Sequence, residues 1–504
     1  MKKHFWFGFW AILLFAFLLR VIPAQNHNFF FTMDQADDGV WARELFERGQ
    51  LLWHGSQTSI PGVWAGPLWY YFIAIGYKIF AGDPFGALFM VILLNVSLTG
   101  LLMWVIKKKV GGKEALLVGL LLQFFWWFYD TSRWAFNPFP LVAVATVTIL
   151  LLSEFLEGKK KAFFWAGGVA LLGFNFEIAG GAAIFLFYLA FGVYAFFRKK
   201  VTFKALFATG ILLPLVLLSA IILQLSTQFI KSRFLFKELE HAIGVFSGTN
   251  FLYMGQRFLE MLSYAIFSYH LALSLLAFLV LLTLFLKRPK KNKFVANFVS
   301  LTILLTFVSW IFSGSNKGWY DWHTVYIPIL LFISVLLMAL SLPRRVGVVV
   351  LAVVMLFQLP VFEERYLQYL APQEDPSVLA TELKVLDWIY SKREGEGFNA
   401  YTYMPAIRDY PYQYLFWWYG RGKYGFVPCE YAIYPGELKY LYVPGARYYQ
   451  EPQLGCNKFR FLIIEPHKDI ENFKDWYQQT QEGTRLVEEV YVGNVRVEKR
   501  VLVR

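Results

Sequence analysis

Long apolar runs recur through the first 360 residues of the chain, and short basic clusters separate many of them. A bilayer span needs about 20 mostly apolar residues, and several of these runs reach that length. Only 16% of the residues are charged, whereas soluble domains carry roughly 25%. The pattern therefore predicts an α-helical polytopic membrane protein.

The basic clusters predict the topology, because loops rich in Lys and Arg stay in the cytoplasm. The first run follows Lys2 and Lys3 and ends without a clean cleavage site, so we interpret it as an uncleaved helix. The net charge of +13 lies largely in these clusters and indicates topology rather than nucleic-acid binding. About eleven spans satisfy every cluster, near 5–24, 86–106, 115–130, 138–156, 162–175, 178–197, 204–224, 261–286, 294–312, 325–341 and 346–361.

This arrangement predicts a multi-pass protein of the cell (plasma or inner) membrane, with a cytoplasmic N-terminus and the C-terminal part outside. Counting segment 66–82 as a further span would move the cluster 107–109 to the exterior. We therefore predict that 66–82 is an amphipathic helix in the outer interface, where its Trp and Tyr side chains suit the headgroup level.

The composition changes near residue 363, where charges, prolines and tyrosines become frequent. We predict two domains: a transmembrane domain over 1–362, with a catalytic exterior loop at 25–85, and a soluble α+β domain over 363–504. Periodicity favours a helix at 378–392 and strands at 459–465 and 490–503. Cys429 and Cys456 both lie in this domain, as either a disulfide or an unbonded structural pair.

The first exterior loop contains an acidic stretch that begins at Asp34. If 35–48 is helical, Asp34 and Asp38 lie four positions apart and share one face. Asp34 could equally cap that helix. A partly desolvated carboxylate at a membrane boundary is also a suitable general base, because burial raises its pKa.

Asp34, the following Ala42-Arg43-Glu44, and the segments 66–71 (GPLWYY) and 80–85 (FAGDPF) resemble the first loop of C-fold glycosyltransferases that use polyprenyl-phosphate sugars. That group includes the protein O-mannosyltransferase, aminoarabinose transferase and lipid-A galacturonosyl transferase families. The resemblance extends to about residue 200, and more loosely to Pro328. It implies a C-type glycosyltransferase fold, a catalytic Asp34, and inverting transfer of a sugar from polyprenyl phosphate to a glycan, lipid or protein acceptor on the outer face.

The sequence departs from the family pattern at two positions. Gln35 stands where the family has a second acid, which leaves Asp38 or Asp37 as the supporting carboxylate. Gly66 stands where related chains often have a proline or a phosphate-binding lysine. This second departure leaves open which residue contacts the donor phosphate.

Three basic residues are candidates for that contact, since transfer from a lipid phosphate needs cationic help for the departing group. They are Arg133, Lys317 and His323. In the alternative without a functional role, Arg133 forms an ion pair with Asp130. Lys317 and His323 would then belong to an ordinary interfacial belt of aromatic residues.

Glu177 lies between two apolar runs, where a charge is costly and often functional. We interpret it as a second acid, a metal ligand or a structural partner of Arg133. A divalent metal is possible, and no cofactor is predicted with certainty. A transporter or flippase of lipid-linked saccharides is the alternative function, although such proteins often show paired half-repeats and none is visible here.

Overall fold

The structure is a computed structural model that describes residues 2–57, 64–211, 248–287, 292–313, 321–405, 408–437, 442–449, 455–456 and 458–503. Its helices are, in chain order, α1 (Lys2–Val21), α2 (Met33–Phe46), α3 (Leu68–Ile79), α4 (Phe85–Lys109), α5 (Gly112–Gln123), α6 (Trp126–Asp130), α7 (Leu141–Leu156), α8 (Lys161–Leu172), α9 (Ile178–Phe197), α10 (Phe203–Gly210), α11 (Gly248–Ala265), α12 (Leu271–Lys287), α13 (Lys293–Ser313), α14 (Tyr326–Ser341), α15 (Arg344–Leu370), α16 (Leu379–Ser391), α17 (Tyr410–Leu415), α18 (Arg421–Tyr424) and α19 (Ile470–Gln481).

Six helices within the described ranges are long and apolar enough to cross a bilayer. They begin or end close to predicted spans, and the protein is a multi-pass membrane protein. Their bounds are His4–His27, Phe85–Lys109, Ile178–Phe197, Lys293–Ile311, Asp321–Ser341 and Arg344–Leu370. Two shorter apolar helices, Leu141–Leu156 and Leu271–Thr283, correspond to further predicted spans.

Four predicted spans differ from the structure or lie partly beyond it. The segment 162–175 contains α8, which has only 12 residues, and a 3-10 turn at Gly173–Asn175. The segment 115–130 is divided between α5 and α6. The segment 261–286 is divided between α11 and α12, with Ser268 and Tyr269 at positive φ between them. Of 204–224, only the part up to 211 falls within the described residues. The total of eleven spans therefore stays a prediction.

The ambiguous segment near residue 70 forms α3, which has 12 residues. At about 1.5 Å per residue such a helix is far shorter than a hydrocarbon core of about 30 Å. Its exposed apolar side chains include Leu68, Ile75 and Ile79. The length and the exposed apolar residues fit a helix that lies in the interface.

The C-terminal region contains a five-stranded mixed sheet with the order β2-β1-β3-β5-β4. The strand β1 pairs in parallel with β2 and β3, whereas β5 pairs antiparallel with β3 and β4. The strands are β1 (Phe398–Tyr403), β2 (Glu430–Ala432), β3 (Phe459–Ile464), β4 (Thr484–Val492) and β5 (Val495–Leu502). Helix α16 lies within one residue of the predicted bounds 378–392.

The predicted strand at 490–503 is wrong in one respect. The chain turns at Gly493, which has φ +56°, so the segment contains the end of β4 and all of β5. Apolar residues alternate on both sides of the turn, and this hid the break. Cys429 and Cys456 form a disulfide in the same region, with Cα atoms 6.0 Å apart.

The chain forms two compact units that differ from the predicted domain boundary at 362. Unit 1 contains 1–20, 52–69 and 91–366. Unit 2 contains 21–51, 70–90 and 367–504. Parts of the loop that was predicted to be exterior, including α2 and most of α3, thus belong to the same unit as the C-terminal sheet.

Candidate functional site

The first turn of α2 presents Asp34 to solvent. Thr32 is the N-cap residue, and Oε1 of Gln35 accepts hydrogen bonds from the Thr32 backbone N at 3.1 Å and from its hydroxyl at 2.5 Å. Gln35 therefore closes the capping box. Capping does not require Asp34, whose side chain is exposed. Surrounding protein nevertheless raises the pKa of Asp34 above its ordinary value through desolvation.

Asp37 lies one turn further along α2 and interacts with Asp34. Burial and the negative charge of Asp34 together raise the pKa of Asp37 to about 7, although a hydrogen bond with Trp41 acts in the opposite direction. Trp41 itself stacks on Tyr70 at the start of α3, with ring centroids 6.1 Å apart. An acid with a pKa near neutrality is suited to proton transfer. Asp34 and Asp37 therefore form an acidic pair beside an aromatic wall.

Asp38, the other predicted carboxylate, is only 4% exposed. Burial raises the pKa of Tyr77 well above its usual range, and the charge of Asp38 adds to this effect. A Cβ atom on the neighbouring Gly39 would lie 2.8 Å from the Tyr77 hydroxyl, so α2 and α3 approach closely here. Asp38 therefore faces the packed side of α2, and its catalytic role stays a prediction.

The Arg43 and Glu44 side chains fix the second half of α2, and both are almost completely buried. Arg43 Nη2 donates to the backbone O of Pro444 at 2.9 Å, and its guanidinium carbon lies 3.7 Å from the ring centre of Tyr449. The Tyr449 hydroxyl donates to Glu44 Oε1 at 3.0 Å. The Ala42-Arg43-Glu44 motif thus attaches α2 to the loop at 443–449.

The segment before α17 contributes polar groups near Asp37. The charge of Asp37 adds to burial in raising the pKa of Tyr410. The Tyr410 hydroxyl donates to the backbone O of Tyr442 at 3.2 Å, and the Arg408 guanidinium carbon lies 4.7 Å from the Tyr442 ring centre. Sequence reasoning missed these residues, because nothing in their spacing relates them to position 37.

In unit 1, two predicted residues lie together. The carboxylate of Glu177 accepts hydrogen bonds from the backbone N of Ala179 at 2.9 Å and of Gly180 at 2.5 Å, and so caps α9. Its Oε1 also lies 3.2 Å from Nδ1 of His323. A Cβ atom on Gly180 would lie 2.5 Å from the backbone O of His323, so glycine permits this approach.

Arg133 also lies in unit 1 and is completely buried. Its Nη1 donates to the backbone O of Arg20 at 2.9 Å. Arg20 in turn donates to Ser132 Oγ at 2.8 Å and to Gln123 Oε1 at 2.7 Å. The alternative partner of Arg133, Asp130, lies 3.8 Å from Arg365 Nη1. Arg133 therefore belongs to a buried polar network, and phosphate binding by it stays a prediction.

The remaining predictions for the site concern Lys317 and a metal ion. Lys317 lies outside the described residues. Within the described ranges, no group of three or more His, Cys, Asp or Glu side chains is placed to hold a metal.

Comparison with known proteins relates the chain to one fold and one family. ArnT from Cupriavidus metallidurans bound to undecaprenyl phosphate superposes with a TM-score of 0.60 at 12% identity, over 97% of each chain. The apo state of that protein gives 0.50 at 11% identity, over 99% of this chain and 98% of the other. Residues 64–224 match a family described as dolichyl-phosphate-mannose-protein mannosyltransferase.

A curated relative shares a shorter segment. An uncharacterized protein of Aquifex aeolicus (strain VF5) is 31% identical over 106 residues, which is 21% of this chain and 21% of that protein. The match thus spans about a fifth of the relative's length. Because the likeness to ArnT covers nearly the whole chain, the chain has the ArnT fold.

Proposed function

We propose that this chain, which has the ArnT fold and matches the mannosyltransferase family over 64–224, is an integral membrane glycosyltransferase. It moves a sugar from a polyprenyl-phosphate donor to an acceptor hydroxyl on the outer face of the membrane. The main supporting observation is the acidic pair of Asp34 and Asp37, whose pKa values are both raised at the start of α2. The relative bound to undecaprenyl phosphate supports the donor class.

In the proposed reaction Asp34 is the general base. It takes the proton from the acceptor hydroxyl as that oxygen attacks the anomeric carbon. The bond between the anomeric carbon and the phosphate oxygen breaks, and polyprenyl phosphate leaves with the electron pair. Attack opposite the leaving group inverts the anomeric carbon. Asp34 ends the step protonated and loses the proton to solvent, to which its side chain is exposed.

Asp37 strengthens this base through its charge. When both carboxyls are ionised, their mutual repulsion favours proton uptake by Asp34. The hydrogen bond between Asp37 and Trp41 keeps the Asp37 carboxylate beside the aromatic wall that Trp41 forms with Tyr70. Asp38, buried against Tyr77, supports the packing that orients this part of α2.

Basic residues stabilise the departing phosphate in the proposal. His323 is one of them: Glu177 lies 3.2 Å from its Nδ1 and is itself held by the backbone of α9. A ring N–H of His323 would donate a hydrogen bond to the departing phosphate. Lys317 and Arg133 are the further candidates.

The exterior location is supported by the disulfide between Cys429 and Cys456. Disulfides persist in oxidising compartments and are rare in the cytosol. With the C-terminal region outside, α2 and the other members of unit 2 are outside too. The acceptor is then a glycan, lipid or protein that is available on that face.

The test of the function is donor consumption by the purified full-length protein in lipid nanodiscs. A panel of undecaprenyl-phosphate sugars, pentoses and hexoses, is supplied with an envelope extract as acceptor. We expect release of free undecaprenyl phosphate with at least one donor, and no consumption of nucleotide sugars. Consumption of nucleotide sugars, or relocation of the donor across the bilayer with its sugar still attached, would contradict the proposal.

The acidic pair predicts the pH profile of transfer. Because deprotonation of Asp37 near pH 7 makes Asp34 the stronger base, kcat/KM should rise as pH increases through about 7. In Asp37→Asn the rise in kcat/KM near pH 7 should disappear, and the value of kcat/KM reached at high pH should fall by about tenfold. The measurement is kcat/KM from pH 5 to 9 for both proteins. An unchanged rise in kcat/KM near pH 7 in Asp37→Asn would exclude Asp37 as its origin.

A further inference from the structure

A cavity of about 490 Å³ opens within unit 2, away from the first turn of α2. Two cations and one carboxylate line it, together with three aromatic rings. The lining residues are Phe46, Glu47, Lys78, Ala81, Trp417, Trp418, Arg421 and Gly422. Lys78, Arg421 and Glu47 are all exposed. The cavity thus has one net positive charge.

Two of the aromatic side chains that line this cavity, Phe46 and Trp417, pack closely against other residues. Phe46 stacks on Tyr77 at 5.9 Å and lies 6.1 Å from Trp417. Trp417 is 6% exposed and also contacts the Arg43 guanidinium at 5.1 Å. The lining is therefore already packed without a ligand, which reduces the entropic cost of binding.

The opposite rim is a tight turn after α3. Ala81 and Gly82 have φ values of +50° and +88°. Trp418 Nε1 donates to the backbone O of Ala81 at 3.2 Å, and the Tyr414 hydroxyl donates to the backbone O of Gly82 at 2.7 Å. These two hydrogen bonds hold the end of α3 against α17 and the segment that follows it.

The surface next to Lys78 is apolar. Ile75 and Ile79 are more than half exposed, and Ile75 lies three residues before Lys78 on the same face of α3. Ile79 lies four residues after Ile75, so the two isoleucines also share a face. Exposed isoleucines beside a cation on a short helix are typical of a helix in the membrane interface. A helix in that position would expose Ile75 and Ile79 to acyl chains beside Lys78.

We propose that this cavity binds the phosphate head group of an anionic membrane lipid. Lys78 and Arg421 bind the phosphate oxygens, for which a guanidinium fork is well suited. Glu47 accepts hydrogen bonds from head-group hydroxyls, and the indole of Trp418 covers the glycerol or sugar portion. The acyl chains leave along Ile75 and Ile79. This inference does not depend on the transferase reaction.

The test counts lipids that stay bound to the full-length protein by native mass spectrometry. Delipidated protein is titrated with phosphatidylglycerol, with phosphatidylcholine and with soluble glycerol 3-phosphate. We expect one phosphatidylglycerol to bind at least about tenfold more tightly than phosphatidylcholine. The double variant Lys78→Gln/Arg421→Gln should lose that one lipid, and Lys78→Arg/Arg421→Lys should keep it.

Lys423→Gln is the matched control. Lys423 lies on the same short helix as Arg421, but its Nζ is 2.8 Å from Asp387 and it does not line the cavity. This variant should bind phosphatidylglycerol like the wild type. Retention of the tight lipid by the double glutamine variant would overturn the proposal, as would equal binding of phosphatidylcholine. If glycerol 3-phosphate binds as tightly as phosphatidylglycerol, the cavity is a site for a soluble phosphate, and the proposal of a lipid ligand is wrong.

Discussion

Replacing Asp34 by asparagine is expected to reduce sugar transfer by about 10²–10⁴-fold, the usual contribution of a positioned general base. The amide keeps the size of the side chain but does not accept the acceptor proton. Because Gln35 closes the capping box and Asp34 is exposed, the substitution should leave the fold intact. The measurement is the initial rate of undecaprenyl phosphate release in nanodiscs.

The control for this variant is Glu364→Gln, which removes an exposed acid from the end of α15. It should transfer at the wild-type rate. Both variants should unfold at the wild-type temperature, which separates loss of chemistry from loss of fold. Transfer by Asp34→Asn within about threefold of wild type would remove Asp34 from the role of base.

The second large effect concerns the stability of the C-terminal region at alkaline pH. Glu382 is completely buried, and among the described residues neither of its carboxyl oxygens has a hydrogen-bond partner. Burial raises its pKa well above the ordinary value, and the charges of Glu465 and Asp375 add to this. Burial likewise raises the pKa of Glu465 from 4.5 to about 8. Glu465 therefore stays largely protonated in the folded protein at pH 7, and burial shifts the pKa of Glu382 in the same direction.

The sign of the pH effect follows from these pKa values. The folded state keeps a proton on Glu465 that the unfolded chain releases above about pH 4.5. The contribution of Glu465 to stability is therefore fully present below about pH 4.5 and is lost as pH rises from there through about 8. A pKa difference of this size is equivalent to about 3–5 kcal/mol for one group. The negative charge that forms above pH 8 is buried without a cation to balance it among the described neighbours.

Hydrogen exchange of the full-length protein measures this loss locally. Protection of β3 and α16, corrected for the intrinsic exchange rate, should fall between pH 6 and about 9. Glu465→Gln should retain much more protection at the alkaline end, because the amide stays neutral. Glu482→Gln, which changes an exposed acid, should behave like wild type. Identical pH dependence in Glu465→Gln and wild type would show that this carboxyl does not titrate as described.

The membrane helices were the most predictable part of the fold, because bilayer length and charge asymmetry are direct constraints on sequence. Charge also predicted that the segment near residue 70 is not a span, and α3 has only 12 residues; its location in the interface stays a prediction. The division of 261–286 into two helices could not be predicted from the sequence. The residues at positive φ between α11 and α12 include Tyr269, and tyrosine is not a usual turn signal. The hairpin at Gly493 was hidden because alternation continues through the turn.

The candidate site was predictable only where residues are close in sequence. Asp34 and Asp37 are three residues apart, so a helix already relates them. The contact between Glu177 and His323 joins positions 146 apart, and the attachment of Arg43 to Pro444 joins positions 401 apart. Burial of Arg133 depends on the same kind of distant packing. No local pattern contains that information.

Sidedness of α2 tests the central claim most directly, since a base for transfer from an exterior lipid phosphate must lie outside. The two native cysteines are joined in a disulfide, so Asp34→Cys supplies a single reactive thiol. In intact cells a membrane-impermeant maleimide should label this thiol without permeabilisation. A cysteine introduced by Lys108→Cys, in the predicted cytoplasmic cluster, should react only after the cells are permeabilised. Labelling of Asp34→Cys only after permeabilisation would contradict the account.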